Sequence, residues 1–184
     1  MSNELFMALI RGINVGKANR IAMSDLKALC HDLGFKNTLS ILNSGNLIFE
    51  AESGSSKSPG EALEVGIRER FGIETGNVIL SRGHFQAILE DIPAEFDTCD
   101  PSKTLVAIPQ QAFDATETHS FLSEHVHDPE RLWIGHHGLY LDCPSGIHKS
   151  RLVQQVDRFF KKAITSRNLK TIERIRTQVV NWSS

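Results

Sequence analysis

Three cysteines in 184 residues, Cys30, Cys99 and Cys143, are too few and too scattered for a disulfide framework, and no CxxC pair suggests a zinc site. They read as reduced thiols. No apolar run approaches the ~20 residues a membrane helix needs, and the first residues lead into a strand rather than a signal peptide. A cytoplasmic location without membrane contact is therefore expected. Eight histidines (His31, His84, His119, His125, His127, His136, His137, His148) match no HExxH or facial-triad spacing, so they read as surface and turn residues and no metal site is assigned. His148, just before a basic helix, is the one expected in a cleft. No histidine is spaced to serve a nucleophilic Ser44, so GxSxG-type hydrolysis is unsupported. The sequence assigns no catalytic residue and no cofactor.

What is present is an ordinary globular composition, 40% hydrophobic and 23% charged, on a chain long enough for one large or two small cores. The charge is uneven. Residues 149–176 carry nine basic side chains (Lys149, Arg151, Arg158, Lys161, Lys162, Arg167, Lys170, Arg174, Arg176) against Asp157 and Glu173, a local +7 that leaves −9 on the rest. Such a segment either docks on acidic surface of its own chain or faces an anionic partner.

Leu5–Ile10 is a continuous apolar run, expected as a central strand covered on both faces. Ser24 is a candidate cap for a helix whose Leu26, Leu29, Cys30 and Leu33 share one face until Gly34. Residues 38–41 and 47–49 are short β-rich runs about Leu42–Asn46, readable as a hairpin turn or as a bulge in one bent strand. The polar stretch 51–60 is expected as a surface loop, with Pro59 opening a helix through Phe71 that Gly72 stops. A strand at 77–80 completes β-α-β-β-α-β, the ferredoxin-like split βαβ order, with both helices on one face. The rhythm then recurs: a helix at 84–92, a strand at 104–108, a helix at 113–126, a hairpin about His137-Gly138, a helix at 150–164 burying Leu152, Val156, Phe159 and Phe160, and a last helix carrying Leu169, Ile172, Ile175 and Val179. The expected fold class is α+β, two ferredoxin-like subdomains with antiparallel sheets, at 1–92 and 103–184.

The candidate site starts at Arg11-Gly12-Ile13-Asn14-Val15-Gly16-Lys17, where two glycines leave the first strand. Glycine admits positive φ and close approach, so such a loop can aim backbone N–H groups at an anion. The P-loop comparison fails: the glycine spacing is one residue short, and Ala18 stands where a Ser or Thr would bind magnesium. A looser phosphate or carboxylate site using Arg11, the loop amides and Lys17 or Arg20 competes with a plain turn in which Arg11 pairs with an acidic neighbour. Ser44 and Asn46 offer a hydroxyl and an amide. Lys149-Ser150 and Thr165-Ser166-Arg167-Asn168 each precede a helix, where caps and partial positive charge suit an anion. The expected ligand-binding set is Arg11, Gly12, Asn14, Gly16, Lys17, Ser44, Asn46, Lys149 and Arg167, in a cleft between the subdomains and serving a small anionic ligand. Nucleic acid held by residues 149–176 is the second partner class, although the strands lack the paired aromatics of an RNA-binding sheet. A protein-interaction module is the third.

Leu9–Gly16, Asn43–Asn46 with Phe49, Gly146-Ile147, Lys149-Ser150, and Thr165–Asn168 with Thr171 together resemble the bacterial domain-of-unknown-function family 1697 over nearly the whole chain. Family members usually carry a glycine, a tyrosine and a tryptophan where this chain has Lys17, Leu42 and Leu169. The resemblance implies an α+β fold with ferredoxin-like parts and supplies no established activity.

Overall fold

The computed structural model describes residues 3–16, 18–52 and 58–182. The chain divides into two compact units, Met1–Phe85 and Gln86–Ser184. The first unit runs β1 (Asn3–Ile10), α1 (Met23–Asp32), β2 (Lys36–Ile41), β3 (Asn46–Glu52), α2 (Pro59–Phe71) and β4 (Asn77–Ser81), and α3 (Arg82–Glu90) follows across the division. Its sheet has the order β2-β3-β1-β4, antiparallel throughout, so β1 is central between β3 and β4.

The register explains which side chains meet. Ala8 and Ile10 on β1 lie on the same face as Leu47, Phe49 and Ala51 on β3, and there they pack with Leu26, Leu29 and Cys30 of α1 and Leu63 and Ile67 of α2. Both helices therefore cover one face. Met7, Leu9, Ile48, Val78 and Leu80 on the opposite face are also at most 4% exposed, so the sheet is buried on both sides. A capping box starts α2: the Ser58 hydroxyl accepts from the Glu61 N–H at 3.2 Å, and the Glu61 carboxylate accepts from the Ser58 N–H at 3.3 Å. Gly72 ends it in the left-handed region. Ser24 is not the cap of α1. That helix begins at Met23 behind Ala22, without a side-chain cap. Of the stretch expected as a loop at 51–60, Ala51 and Glu52 extend β3, Ser58 to Gly60 begin α2, and 53–57 lie outside the described residues.

The second unit repeats the order with β5 (Thr104–Pro109), α4 (Ala115–Ser123), β6 (Arg131–Ile134), β7 (Leu139–Asp142), α5 (Arg151–Phe159) and β8 (Ile164–Asn168), then α6 (Leu169–Val180). Its sheet order, β6-β7-β5-β8, matches the first. Leu105, Ala107, Leu139, Leu141 and Ile164 pack against Leu122 of α4 and Leu152 and Val156 of α5. Val106, Ile108 and Tyr140 are buried on the other face.

Here the structure corrects two expectations. The helix expected over 150–164 stops at Phe159, because Lys161 and Lys162 take φ of 48° and 68° and turn the chain into β8. Phe159 and Phe160 are consequently half-buried rather than core, while Leu152 and Val156 are fully buried. Thr165–Arg167 are strand residues paired with β5, and only Asn168 caps α6, accepting from the Thr171 N–H at 2.9 Å.

Candidate functional site

Antiparallel pairing brings the end of β1 against the start of β3, with Leu9 opposite Asn46 and the Ile10 N–H donating to the Gly45 carbonyl at 2.8 Å. The β1 exit and the β2–β3 turn are therefore neighbours at one end of the sheet. Of the two readings of residues 38–50, the structure has the hairpin, closed by Leu42–Gly45. Gly45 must be glycine: its φ is +77°, and a Cβ there would sit 2.9 Å from the Ile10 carbonyl and 3.0 Å from the Ile13 side chain.

From this end the loop Arg11–Ala22 leaves the sheet. Arg11 is pinned through its backbone, its N–H donating to the Gly76 carbonyl at 2.8 Å and its carbonyl accepting from the Thr75 hydroxyl at 2.9 Å. Gly12, Asn14, Gly16 and Asn19 all take positive φ, between 52° and 75°. Buried Ile13 and Ile21 anchor the loop to the core. The Asn14 amide closes it, donating to the Ile21 carbonyl at 2.9 Å and the Asn43 carbonyl at 2.8 Å while accepting from the Ile21 N–H at 2.9 Å. Asn19 donates to the Gly12 carbonyl, and the Arg20 guanidinium to the Gly16 carbonyl. These bonds draw the described part of the loop into an arch tied to the hairpin.

The expected residues take distinct positions on this arch. Gly12 and Gly16 are exposed, with nothing within 4 Å of where a Cβ would stand, so their φ rather than crowding calls for glycine. Asn14 directs its amide at backbone, and Arg11 is half-buried at the base. Ser44 is exposed on the turn, and the buried Asn46 amide donates to its hydroxyl and to the Ile41 carbonyl, both at 3.0 Å. Lys17 lies outside the described residues. Lys149 and Arg167 belong to the second unit. Lys149 and the neighbouring His148 are both exposed on a short 3₁₀ turn. Arg167 is half-buried on β8 and donates to the Ser166 carbonyl at 2.9 Å. Sequence reasoning missed Thr75, Gly76 and Asn19, whose contribution runs through backbone groups and leaves no motif.

Chemically, the arch presents amides rather than reactive side chains. Among the described residues, no protein acceptor faces the N–H groups of Gly12, Ile13, Val15 or Gly16. Thiol chemistry is disfavoured throughout: burial pushes Cys30 up to about 12 and Cys143 up to about 11, and burial together with the Asp142 carboxylate raises Cys99. No three His, Cys, Asp or Glu side chains converge to hold a metal among the described residues, and no helix there is long and apolar enough to cross a membrane.

Two antiparallel sheets of identical order, each with two helices on one face, define an α+β protein built of two ferredoxin-like units. Residues 4–140 match the model of a protein family of unknown function (DUF1697), and the chain belongs to that family. It is similar in structure to the conserved bacterial protein SP0830 from Streptococcus pneumoniae, with a TM-score of 0.76 at 24% identity over 97% of this chain and 99% of that one. At that identity the likeness shows the fold. Among curated proteins none matches the chain.

Proposed function

We propose that the arch at the β1 exit binds a small anion, the phosphate or carboxylate of a soluble ligand, with Arg11, Ser44 and Lys17 supplementing the backbone. The observation that carries this reading is the set of three amides on exposed residues, Gly12, Val15 and Gly16, without protein acceptors among the described residues, on a backbone that repeatedly enters positive φ. Successive N–H groups in such a conformation form an anion-binding concavity. Arg11, at the base of the arch, brings a positive charge to the same loop, and hydrogen bonds from an ionised donor are the stronger ones. Asn14 serves by holding the arch, since its amide is directed at three backbone groups.

The nucleic-acid reading finds less support. Both sheets bury both faces, so the exposed aromatic platform by which ferredoxin-like sheets stack bases is not available.

A thermal-shift panel of inorganic phosphate, nucleotides, sugar phosphates and carboxylates tests the proposal. A ligand at 100 times its Kd stabilises by about 2.7 kcal/mol. Arg11→Gln is expected to abolish that ligand-induced shift, and a Lys161→Gln, Lys162→Gln variant to keep it. Absence of any shift across the panel, or a shift that Arg11→Gln leaves intact, overturns the reading. Generic RNA is expected to bind no tighter than about micromolar at physiological salt.

A further inference from the structure

Within the second unit, the two helices that cover the sheet carry opposite charge. Residues 104–130 contain no lysine or arginine and five acidic residues, and the basic segment begins at Lys149. Asp114, Glu117 and Glu124 line a shallow groove of about 640 Å³ together with Phe121 and Phe159. Arg151, Arg158, Lys161 and Lys162 are exposed on α5 and just beyond its end. None of these four cations makes an ion pair among the described residues.

Between the acidic and basic rims runs an aromatic seam. Phe121 lies 5.0 Å from Phe159, Phe159 lies 5.0 Å from Phe160, and Phe160 lies 5.9 Å from Phe113, and all four rings are half-buried. The contact of Phe113, just before α4, with Phe160, just after α5, sets the start of α4 beside the end of α5. The acidic pair Asp114 and Glu117 thus stands beside the basic end of α5, and Glu124 shares with them the groove that Phe159 of that same end lines.

We propose that this α4–α5 face is a self-association surface whose occupant is a second copy of the chain. A two-fold axis along the seam lays each α4 over the partner's α5 and preserves position along the helices. Asp114 and Glu117 then meet Arg158, Lys161 and Lys162 of the other copy, and the aromatic seams stack at the centre. The reversed arrangement, a two-fold across the helices, sets acid on acid and base on base. The charge pattern therefore selects one orientation as well as one partner, and rim charges of this kind act on specificity and association rate. Two adjacent nine-residue helices, each about 13 Å long and about 10 Å wide, present a face of roughly 300 Å², well below the roughly 800 Å² per partner of a standard interface, so the dimer is a weak one.

Sedimentation velocity on the full chain over a concentration series, at low and physiological salt, reads this out. Dimerisation with a Kd in about the micromolar range or weaker is expected, weakening as salt rises. Glu117→Lys with Glu124→Lys makes both rims basic, and Arg158→Glu with Lys161→Glu makes both acidic. Each variant alone is expected to be monomeric, with circular dichroism confirming the fold. Their equimolar mixture pairs opposite rims at both contacts and is expected to recover the dimer. If a variant does not fold, neutral Glu117→Gln and Lys161→Gln versions replace it, and each is expected to weaken association and flatten its salt dependence. Monomer at every concentration, a dimer that the charge reversals leave intact, or a mixture of folded variants that stays monomeric overturns the proposal.

Discussion

The two units share element order and sheet order yet finish their first strands differently. In the second, five residues separate β5 from α4: Gln110 donates its N–H to the Ala163 carbonyl, and Asp114 caps the helix, accepting from the Glu117 N–H at 2.8 Å. In the first, twelve residues separate β1 from α1, and the Asn14 amide binds them into the arch. Ferredoxin-like topology needs only the shorter connection. The extra length leaves the N–H groups of Gly12, Val15 and Gly16 without protein acceptors among the described residues, whereas the second unit spends its connection on starting a helix. The same scaffold is thus elaborated at a loop in one unit and on a helical face in the other.

Each unit also has a glycine just before its third strand, pressed against a carbonyl of its first strand. A Cβ on Gly45 would lie 2.9 Å from the Ile10 oxygen, and one on Gly138 would lie 2.9 Å from the Ala107 oxygen. Only Gly45 adds positive φ. Gly45→Ala is expected to cost about 3 to 4 kcal/mol and Gly138→Ala about 2, since the left-handed region adds roughly 1–2 kcal/mol for a residue with a Cβ. Urea midpoints of the two variants measure the difference. Equal losses would mean that the clash alone governs both hairpins and that the two turns are built alike.

Asn14→Ala probes the element the second unit lacks. Two donated bonds and one accepted bond disappear, at about 1 kcal/mol each, so a loss of about 2–3 kcal/mol is expected. Faster hydrogen exchange should spread over the arch and stop short of α1. A loss below about 0.5 kcal/mol would show that Ile13 and Ile21 anchor the loop without the clasp.

Periodicity made most of this architecture legible: Leu26, Leu29 and Cys30 mark α1, the apolar run at Leu5–Ile10 marks the doubly covered β1, and Gly72 marks the end of α2. It failed at β8, where Ile164 is the sole large apolar residue among Thr165, Ser166, Arg167 and Asn168, and the strand exists because β5 offers it a ladder. Phe159 and Phe160 continued a helical pattern that ends at the positive φ of Lys161 and Lys162, which no local residue type announces. At the candidate site, Gly12 and Gly16 signalled a left-handed loop. The clasp was hidden, because Asn14 meets backbone 7 and 29 residues away.

The smallest expected effect sharpens the contrast between the covered faces of the two sheets. The first unit lacks tyrosine, whereas the second buries the chain's only one, Tyr140, completely. Its hydroxyl lies 3.1 Å from both the Ile88 carbonyl and the Asp91 carboxylate, which also accepts the His137 N–H. Burial, followed by the charge and hydrogen bond of Asp91, raises the phenol well above the ordinary tyrosine range. The sign follows from linkage. Below about pH 10 the phenol is protonated in both states and its full contribution is present. Above that, the unfolded chain releases the proton while the folded one holds it, so stability falls as pH rises. Tyr140→Phe is expected to cost about 1 kcal/mol at neutral pH, with Asp91 still partnered by His137, and to remove the tyrosine part of the alkaline slope. Because there is one tyrosine, ultraviolet titration reads it without ambiguity: no tyrosinate signal is expected until pH exceeds about 11, and it should then rise together with loss of fold. Ordinary ionisation near pH 10 in the folded protein would mean that water reaches the phenol, and that this face is less completely covered than its counterpart in the first unit.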